Sequence, residues 1–324
     1  IVSYQACFLK NISLKHYTRI TLFALKCHPM RAFLFHFIVT LSSRLSLKTA
    51  HKWADFVSRL VWHWSEKQRR ITTTNIKLCY PELSEGEQIT LAKASLSETI
   101  KSMFELGIIW KKYPQNIDGL INKIHGLEVF EDAMSKQQGI LLAAPHFGNW
   151  EVLNLWLSRH EGFSFLYKPP SEPKIEALLL KYRGQGGANQ ITADARGVRK
   201  IFSVLKAKNI SAILPDQQPK NGQGMFAPFM NQSAHTMTLF SKIATKTKVP
   251  VVFAVAERLP DGQGFDLHFK IPSDKIYQDM ETSVETVNQT IEQLVAITPA
   301  QYQWTYKRFS IQEDGSKPYK ISLS

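Results

Sequence analysis

The chain has 324 residues, of which 44% are hydrophobic and 21% are charged. It is long enough to bury a sizeable core, as one large domain or as a main domain with a helical appendage. Its three cysteines form no CxxC pair, so they indicate neither a disulfide framework nor a zinc site, and a reducing compartment is the natural interpretation. The net charge of +13 suits an anionic membrane, an acidic carrier protein or nucleic acid, with a merely basic soluble protein as the alternative.

The first 29 residues are basic and aromatic, with weak periodicity, and they precede Met30. We expect residues 1–29 to be a non-native or disordered extension. No secretory signal is apparent, and no apolar run reaches the eighteen or so residues that cross a bilayer. The best candidate, residues 32–41, contains His36, which favours an interfacial position over a spanning one.

Helical patterns dominate the next part of the chain, so we interpret residues 30–115 as an N-terminal membrane-associating helical segment. From Trp53 to Trp64 the apolar residues recur at helical spacing, which predicts a helix that packs on the core or lies on a membrane. Residues 70–83 are predicted to be a connection. Ser84 and Glu87 form a capping box, which predicts a helix from there to about residue 112.

The most informative stretch is residues 139–157, in which a buried strand leads directly into a helix. Residues 140–144 are an unbroken apolar run that Pro145 ends, as in a strand buried on both faces. Apolar residues at helical spacing follow from Trp150. His146 is therefore predicted in the turn at the carboxyl end of the strand, where α/β folds place ligands.

His146 and Glu151 are close enough in sequence to meet if the histidine lies in the turn and the glutamate in the first helical turn. Gly148 provides backbone freedom and Asn149 is the predicted N-cap. The carboxylate would then hold one imidazole nitrogen while the other accepts a proton from a hydroxyl. The alternative is a satisfied turn histidine beside a solvated first-turn carboxylate.

The remaining pattern alternates strands with helices, which predicts an α/β fold with a largely parallel sheet flanked by helices and one closing antiparallel hairpin. A second apolar run ended by proline delivers Asp216 and Gln217 to the same kind of position as His146. Residues 116–312 form the predicted core and residues 313–324 a tail. The predicted strands are 163–167, 190–192, 210–214, 249–257 and 264–271; the predicted helices are 129–136, 175–183, 197–207, 236–247 and 284–297, with a loop at 221–230.

These residues resemble a known family. The segment from His146 to Glu151 matches the HxxxxD/E motif of the glycerolipid acyltransferase superfamily, in the Glu form of the late acyltransferases of lipid A biosynthesis. The similarity extends over about residues 48–308. Two departures are that the broader superfamily's Pro-Glu-Gly-Thr block is absent, with residues 224–229 in its place, and that Lys168 stands where arginine is common. The other matching positions are Arg70, Asn75, Tyr80, Pro81, Tyr167, Pro169, Arg183, Asp216, Gln217, Gln218, Pro228, Phe229, 299–304 and Arg308.

The resemblance implies transfer of a fatty acyl chain from a thioester to a hydroxyl of a lipid A precursor, at the cytoplasmic face of the inner membrane. Acyl carrier protein or coenzyme A would be the co-substrate, with no further cofactor and no metal. His146 would be the general base, oriented by Glu151, and backbone N–H groups of its turn are candidate oxyanion donors. The implied substrate-binding residues are Asn149, Tyr167, Lys168, Arg183, Asp216, Gln217 and Arg308.

Two other functions remain open from the sequence. The motif does not encode the acceptor, so another glycolipid or a lysophospholipid is the first alternative. A non-catalytic basic protein that binds membrane or nucleic acid is the second. Against nucleic acid, no binding module is visible and the positive charge is dispersed along the chain.

Overall fold

The computed structural model describes residues 28–114, 116–219 and 222–320. Most of the predicted extension, residues 1–27, lies outside the described residues. Four helices come first: α1 (His28–Ser42), α2 (Leu47–Trp64), α3 (Glu66–Cys79) and α4 (Glu85–Gly107), the last continued by a π-helical turn, Ile108–Lys112. Among the described helices, none combines the length and hydrophobicity that a bilayer crossing requires.

The capping box at the start of α4 is confirmed, because Ser84 and Glu87 hydrogen-bond to each other's backbone N–H groups. The predicted connection at residues 70–83 is wrong, because most of it belongs to α3. Its run of threonines has low helix propensity, but tertiary contacts override that preference. Ile71 and Ile76 are buried, and the Asn75 amide donates to the carbonyls of residues 304 and 306.

Helix α2 forms as predicted, and its Trp62 packs against the core, but Trp53, Phe56 and Trp64 are exposed. The buried positions are mainly small, including Ala50, Ala54 and Ser58, and this lets α2 pack closely against α4. Trp53 and Phe56 remain more than half exposed. The aromatic side of this helix is thus available at the protein surface.

The core is a seven-stranded sheet of order β1-β9-β8-β2-β5-β3-β4, in which every pair except β8–β9 is parallel. This confirms the predicted α/β class and its closing antiparallel hairpin. The strands of this sheet are β1 (Ile121–His125), β2 (Ile140–Ala143), β3 (Ser164–Tyr167), β4 (Asn189–Thr192), β5 (Ile210–Ile213), β8 (Val251–Arg258) and β9 (Phe265–Lys270). A separate two-stranded sheet contains β6 (Gly224–Phe229) and β7 (Gln232–Met237).

Helices cover both faces of this sheet, and β2 lies near its centre with all four residues buried. The remaining helices are α5 (Leu127–Ser135), α6 (Trp150–Leu157), α7 (Pro173–Gly184), α8 (Ala195–Lys206), α9 (Leu239–Thr247) and α10 (Met280–Val295). Short 3₁₀ turns occupy Ile117–Leu120, Pro260–Gly262, Asp274–Tyr277 and Pro299–Gln301.

Two strand regions differ from the sequence-based expectation. Strand β1 was not predicted, because its half-buried sequence, INKIH, has no clear apolar alternation. The predicted loop at 221–230 is also wrong: β6 and β7 form a separate antiparallel hairpin, and the predicted helix at 236–247 begins only at Leu239. Glycine and proline in β6 led to the loop prediction, but Pro228 is exposed in a two-stranded sheet, where such a residue is tolerated.

Strands β2 and β5 position the functional site. They run parallel in direct register, with Ala143 opposite Ile213. The segments that follow them therefore leave the same edge of the sheet side by side. His146 and Asp216 each come three residues after these paired positions, so the topology brings them together.

Candidate active site

The turn between β2 and α6 has a backbone conformation that only glycine adopts easily. Gly148 has a φ of +54°, and a Cβ at this position would lie 1.9 Å from the carbonyl oxygen of Ala256. The N–H of Asn149 donates to that same carbonyl at 3.1 Å. Asn149 then caps α6, its side chain accepting from the N–H of Glu151, as predicted. The turn is thereby fixed against β8.

Asp216 is the hydrogen-bond partner of the His146 imidazole. Its Oδ1 lies 2.8 Å from Nδ1, and its Oδ2 accepts the backbone N–H of His146 at 2.9 Å. Both side chains are buried. Because an ionised carboxylate can only accept, this contact places the proton on Nδ1 and leaves a lone pair on Nε2.

The other ring nitrogen faces Gln217. The amide nitrogen of Gln217 lies 3.1 Å from Nε2 of His146 and donates its second hydrogen to Oε1 of Gln303, also at 3.1 Å. Since an amide nitrogen only donates, Nε2 must accept. Both contacts therefore agree on one tautomer, with Nε2 as the basic atom.

Electrostatics favour a neutral imidazole beside an ionised carboxylate. Burial lowers the pKa of His146 below its usual value, although the Asp216 carboxylate acts in the opposite direction. Burial alone would raise the pKa of Asp216, but the imidazole and the hydrogen bonds to His146 outweigh it and lower that pKa. The pair is thus ready to receive a proton at Nε2 around neutral pH.

The segment that follows α10 also packs against this site. The backbone N–H of Gln303 donates to the carbonyl of His146 at 3.0 Å, and Tyr302 bridges to Phe147 in β fashion. Burial and the neighbouring Asp216, to which its hydroxyl hydrogen-bonds, raise the pKa of Tyr302 well above its usual value. Tyr302 and Gln303 were not predicted as site residues, although residues 299–304 contributed to the resemblance.

The predicted pairing of Glu151 with His146 is wrong. Glu151 is buried at the start of α6, where it forms an ion pair with Arg183 of α7, the Arg183 Nε lying 3.0 Å from Oε1. The indole N–H of Trp110 donates to its other oxygen at 3.3 Å. The guanidinium of Arg183 also lies over the Trp150 ring, 4.5 Å from its centroid. Asp216 already accepts the hydrogen bond from Nδ1–H of His146, so the imidazole has no N–H left to donate to Glu151.

Arg183 therefore holds the start of α6 to α7 rather than facing His146 directly. A buried Arg–Glu pair of this kind costs desolvation free energy, which the paired hydrogen bonds and the tryptophan ring offset. Glu151 lies in the first turn of the helix that follows the His146 turn. The geometry of this ion pair suits a positioning role for both residues.

A second buried ion cluster holds Asn149, which sequence analysis predicted to bind substrate. Its amide donates to Oε2 of Glu105 at 2.7 Å, and the same carboxylate binds the Arg258 guanidinium and the imidazole of His51. The Glu105 carboxylate is fully desolvated, which alone would raise its pKa, but Arg258 and the hydrogen bonds from Arg258 and His51 hold that pKa well below its usual range. Arg258 also contacts Ser102, whose hydroxyl donates to the carbonyl of Gly148. No pattern in the sequence indicated this network.

Three more residues were predicted to bind substrate: Tyr167, Lys168 and Arg308. The hydroxyl of Tyr167 donates to Glu176 at 3.0 Å, and burial followed by this carboxylate raises its pKa to about 12. Lys168 is exposed in the loop after β3. Arg308 is buried and donates to the β7 carbonyl of residue 235 and the hydroxyl of Thr236, so it holds the β6–β7 hairpin.

The turn's own N–H groups are not available as oxyanion donors, contrary to expectation. The N–H groups of His146, Phe147, Gly148 and Asn149 all donate within the protein, to Asp216 and to three carbonyls. The Gln217 amide is a side-chain donor next to Nε2 of His146, at 3.1 Å. Within the described part of the chain, the one group with metal-ligand geometry lies elsewhere, on β1 and β9.

The chain is similar in sequence to proteins of one bacterial family. A sequence model described as bacterial lipid A biosynthesis acyltransferase matches residues 24–310. The lipid A biosynthesis lauroyltransferase of Escherichia coli (strain K12) is 25% identical over 261 residues, covering 80% of this chain and 84% of that protein. A lipid A biosynthesis acyltransferase of Haemophilus influenzae is 24% identical, covering 80% and 81%. The E. coli myristoyltransferase is 21% identical, covering 82% of each chain. The chain thus belongs to the bacterial lipid A biosynthesis acyltransferase family.

Proposed function

We propose that this protein transfers a fatty acyl chain from an acyl thioester to a hydroxyl of a lipid A precursor, with His146 as the general base and Asp216 as the group that orients it. The observation that carries this proposal is the Asp216–His146–Gln217 chain of hydrogen bonds at the carboxyl edge of the sheet. Family membership supports the acyl-transfer chemistry. Acyl carrier protein and coenzyme A are the two candidate donors.

In the proposed reaction, the acceptor hydroxyl displaces the Gln217 amide from Nε2 of His146 and passes its proton to that nitrogen. The oxygen attacks the thioester carbonyl, and the tetrahedral intermediate collapses with cleavage of the carbon–sulfur bond. The imidazolium then protonates the departing thiolate. The acceptor attacks directly, so the reaction needs no protein nucleophile and no acyl-enzyme. Asp216 stabilises the imidazolium while it exists.

The displaced Gln217 amide becomes the oxyanion donor in this scheme. It begins 3.1 Å from Nε2 and donates its other hydrogen to Gln303, so after displacement it lies close to the position where the thioester carbonyl oxygen becomes an oxyanion. One oxyanion donor of this kind contributes about 10²–10³-fold in rate. Gln217 thus keeps the substrate-binding assignment that the sequence suggested for it.

We further propose that α1 and α2 seat the protein on the cytoplasmic face of the inner membrane. Large apolar side chains are exposed on both helices, and they lie beside basic residues. Apolar residues that insert between headgroups together with cations that meet anionic lipid are the pattern of an interfacial helix. The exposed apolar residues are Phe33, Leu34, Phe37, Leu41, Trp53, Phe56 and Trp64; the basic ones are Arg44, Lys48, Lys52 and Arg59.

The acceptor is tested by presenting the purified full-length protein with acyl-acyl carrier protein or acyl-coenzyme A and separate acceptors. The acceptors are a lipid A precursor lacking secondary acyl chains, a lysophospholipid and a neutral glycolipid. The products are identified by mass spectrometry. We expect one added acyl chain on the lipid A precursor only. Preferential acylation of another acceptor would replace the substrate assignment while keeping the chemistry, and no acylation of any would remove both.

The membrane surface is tested by replacing Trp53 and Phe56, which line one shallow apolar pocket, with serine. We expect turnover to fall at least about tenfold when the acceptor is embedded in anionic vesicles, since two interfacial aromatic anchors are lost. Turnover on detergent-dispersed acceptor should stay at the wild-type rate. The matched control is Ile311→Ser, which removes an exposed apolar residue from the other end of the chain. Equal losses in both assays would contradict a membrane role.

A further inference from the structure

A cluster of imidazoles and carboxylates lies on the edge half of the sheet, and the proposed reaction does not use it. His125 on β1 stands opposite His268 on the neighbouring strand β9, and Asp266 projects from the same face of β9. Glu257 on β8 is paired in register with Asp266. Three adjacent strands thus bring two histidines and two carboxylates to one place.

The distances within this cluster are those of potential ligands. Nε2 of His125 lies 3.0 Å from Oδ2 of Asp266, and Nε2 of His268 lies 2.8 Å from Oε2 of Glu257. One ligand atom from each of His125, Asp266 and His268 lies within 4.8 Å of the others. Ligands around a tetrahedral Zn²⁺ ion lie about 3.4 Å from one another, so these three atoms must move closer together to bind one ion.

We propose that His125, Asp266 and His268 bind a divalent transition-metal ion, with Glu257 as the fourth ligand. Imidazole and carboxylate together suit zinc and its first-row neighbours, and they suit magnesium or calcium poorly. The Asn122 amide donates to Oδ1 of Asp266 at 2.9 Å and so leaves the other oxygen for the ion. This hydrogen bond is the kind of outer contact that orients a ligating carboxylate.

The imidazole rings must rotate before both can bind one ion. They are stacked 4.5 Å apart and only 7° from parallel, so their lone pairs point side by side rather than toward a common centre. The His125 side chain is 39% exposed and can turn without disturbing the core. Binding would therefore convert a stacked pair into a splayed pair.

The ion would fix the edge of the sheet to the strand that supports the catalytic turn. Strand β1 pairs only with β9 among the described strands, whereas β8 carries Ala256, which accepts the N–H of Asn149. Ligands on β1, β9 and β8 would join these three strands through a site that is not preformed in the unfolded chain. The site is thus structural and independent of acyl transfer.

The test is isothermal titration calorimetry, in which ZnCl₂ is added to the metal-depleted full-length protein. We expect one equivalent to bind, and a hundredfold excess of Zn²⁺ over Kd should raise Tm by about 4 °C. Substitution of Co²⁺ should give the visible absorption of a four-coordinate site. His268→Ala is expected to weaken Zn²⁺ binding by at least about 100-fold, since ligand loss exceeds the effect of losing an outer contact.

A second variant and a control keep the experiment decisive. Asp266→Asn preserves the shape of the cluster and is expected to reduce affinity comparably, so misfolding of one variant does not decide the outcome. His63→Ala removes an exposed histidine at the end of α2 and should leave the titration unchanged. The proposal is overturned if Zn²⁺ fails to bind, or if it binds His268→Ala and Asp266→Asn as tightly as the wild type. Acyl-transfer assays play no part in either outcome.

Discussion

His146→Ala is expected to reduce the rate of acyl transfer by about 10²–10⁴-fold, the usual contribution of a positioned general base. The variant removes Nε2, the basic nitrogen that the Asp216–His146–Gln217 chain offers to an acceptor hydroxyl. The measurement is kcat with saturating donor and acceptor. The wild-type rate in the variant would refute His146 as the base.

A companion variant separates chemistry from folding. His146 is buried, so alanine leaves a cavity and removes one partner of a buried carboxylate, both of which lower stability. His146→Gln retains much of the volume and a donor for Asp216 but has no basic nitrogen. We expect it to be equally inactive with a Tm closer to that of the wild type. Recovery of activity in His146→Gln would assign the alanine effect to packing.

The pH dependence of the wild type follows from the direction of the His146 shift. Burial lowers its pKa from the ordinary value of 6.5, so the neutral, proton-accepting form dominates above a pH that is itself below 6.5. The acid limb of kcat/KM should fall there. An acid limb well above pH 6.5 would indicate that the imidazole is stabilised as a cation before substrate arrives.

The central part of the site could be predicted because its signals are local. An apolar run closed by proline, a glycine and an N-capping asparagine specify a strand, a turn and a helix within about twelve residues, and β2, Gly148 and α6 follow that prediction. The α/β class was predictable for the same reason. Each βα unit carries its own pattern along the chain.

The partner of His146 could not be predicted by the same means. Asp216 is 70 residues away, and the contact depends on the parallel register of β2 and β5. Glu151 is nearer in sequence but turns toward Arg183 on another helix. One signal did exist: His146 and Asp216 each come directly after a proline that ends a buried apolar run. This shared pattern predicts that the two strands end at the same edge of the sheet, and therefore that His146 and Asp216 lie close together.

Asp216→Asn and Glu151→Gln should separate orientation of the base from support of its helix. In Asp216 the two oxygens accept two different N–H groups of His146. An asparagine can accept only one of them and must present its NH₂ to the other. If its oxygen keeps the backbone N–H, the amide faces Nδ1, which then must accept, and the proton moves to Nε2.

The Asp216→Asn enzyme would thus hold the wrong tautomer, and we expect kcat to fall by about 10³–10⁴-fold, as when a buried carboxylate that orients a catalytic histidine is made an amide. The loss of its negative charge should also move any residual acid limb to lower pH, because the carboxylate raises the pKa of His146. A rate within tenfold of the wild type would contradict the orienting role.

Glu151→Gln should act through stability instead. It leaves the buried Arg183 guanidinium without its counter-charge, which costs about 3–5 kcal/mol when one partner of a buried pair is removed. We expect a lower Tm and a reduced rate, because the start of α6 next to His146 is loosened, yet an acid limb at the wild-type pH. The double variant Glu151→Gln with Arg183→Met should recover part of the lost Tm, since no charge then remains buried. A shifted acid limb in Glu151→Gln would show that Glu151 orients His146. A shift seen only in Asp216→Asn would show that Asp216, which follows β5, has this role.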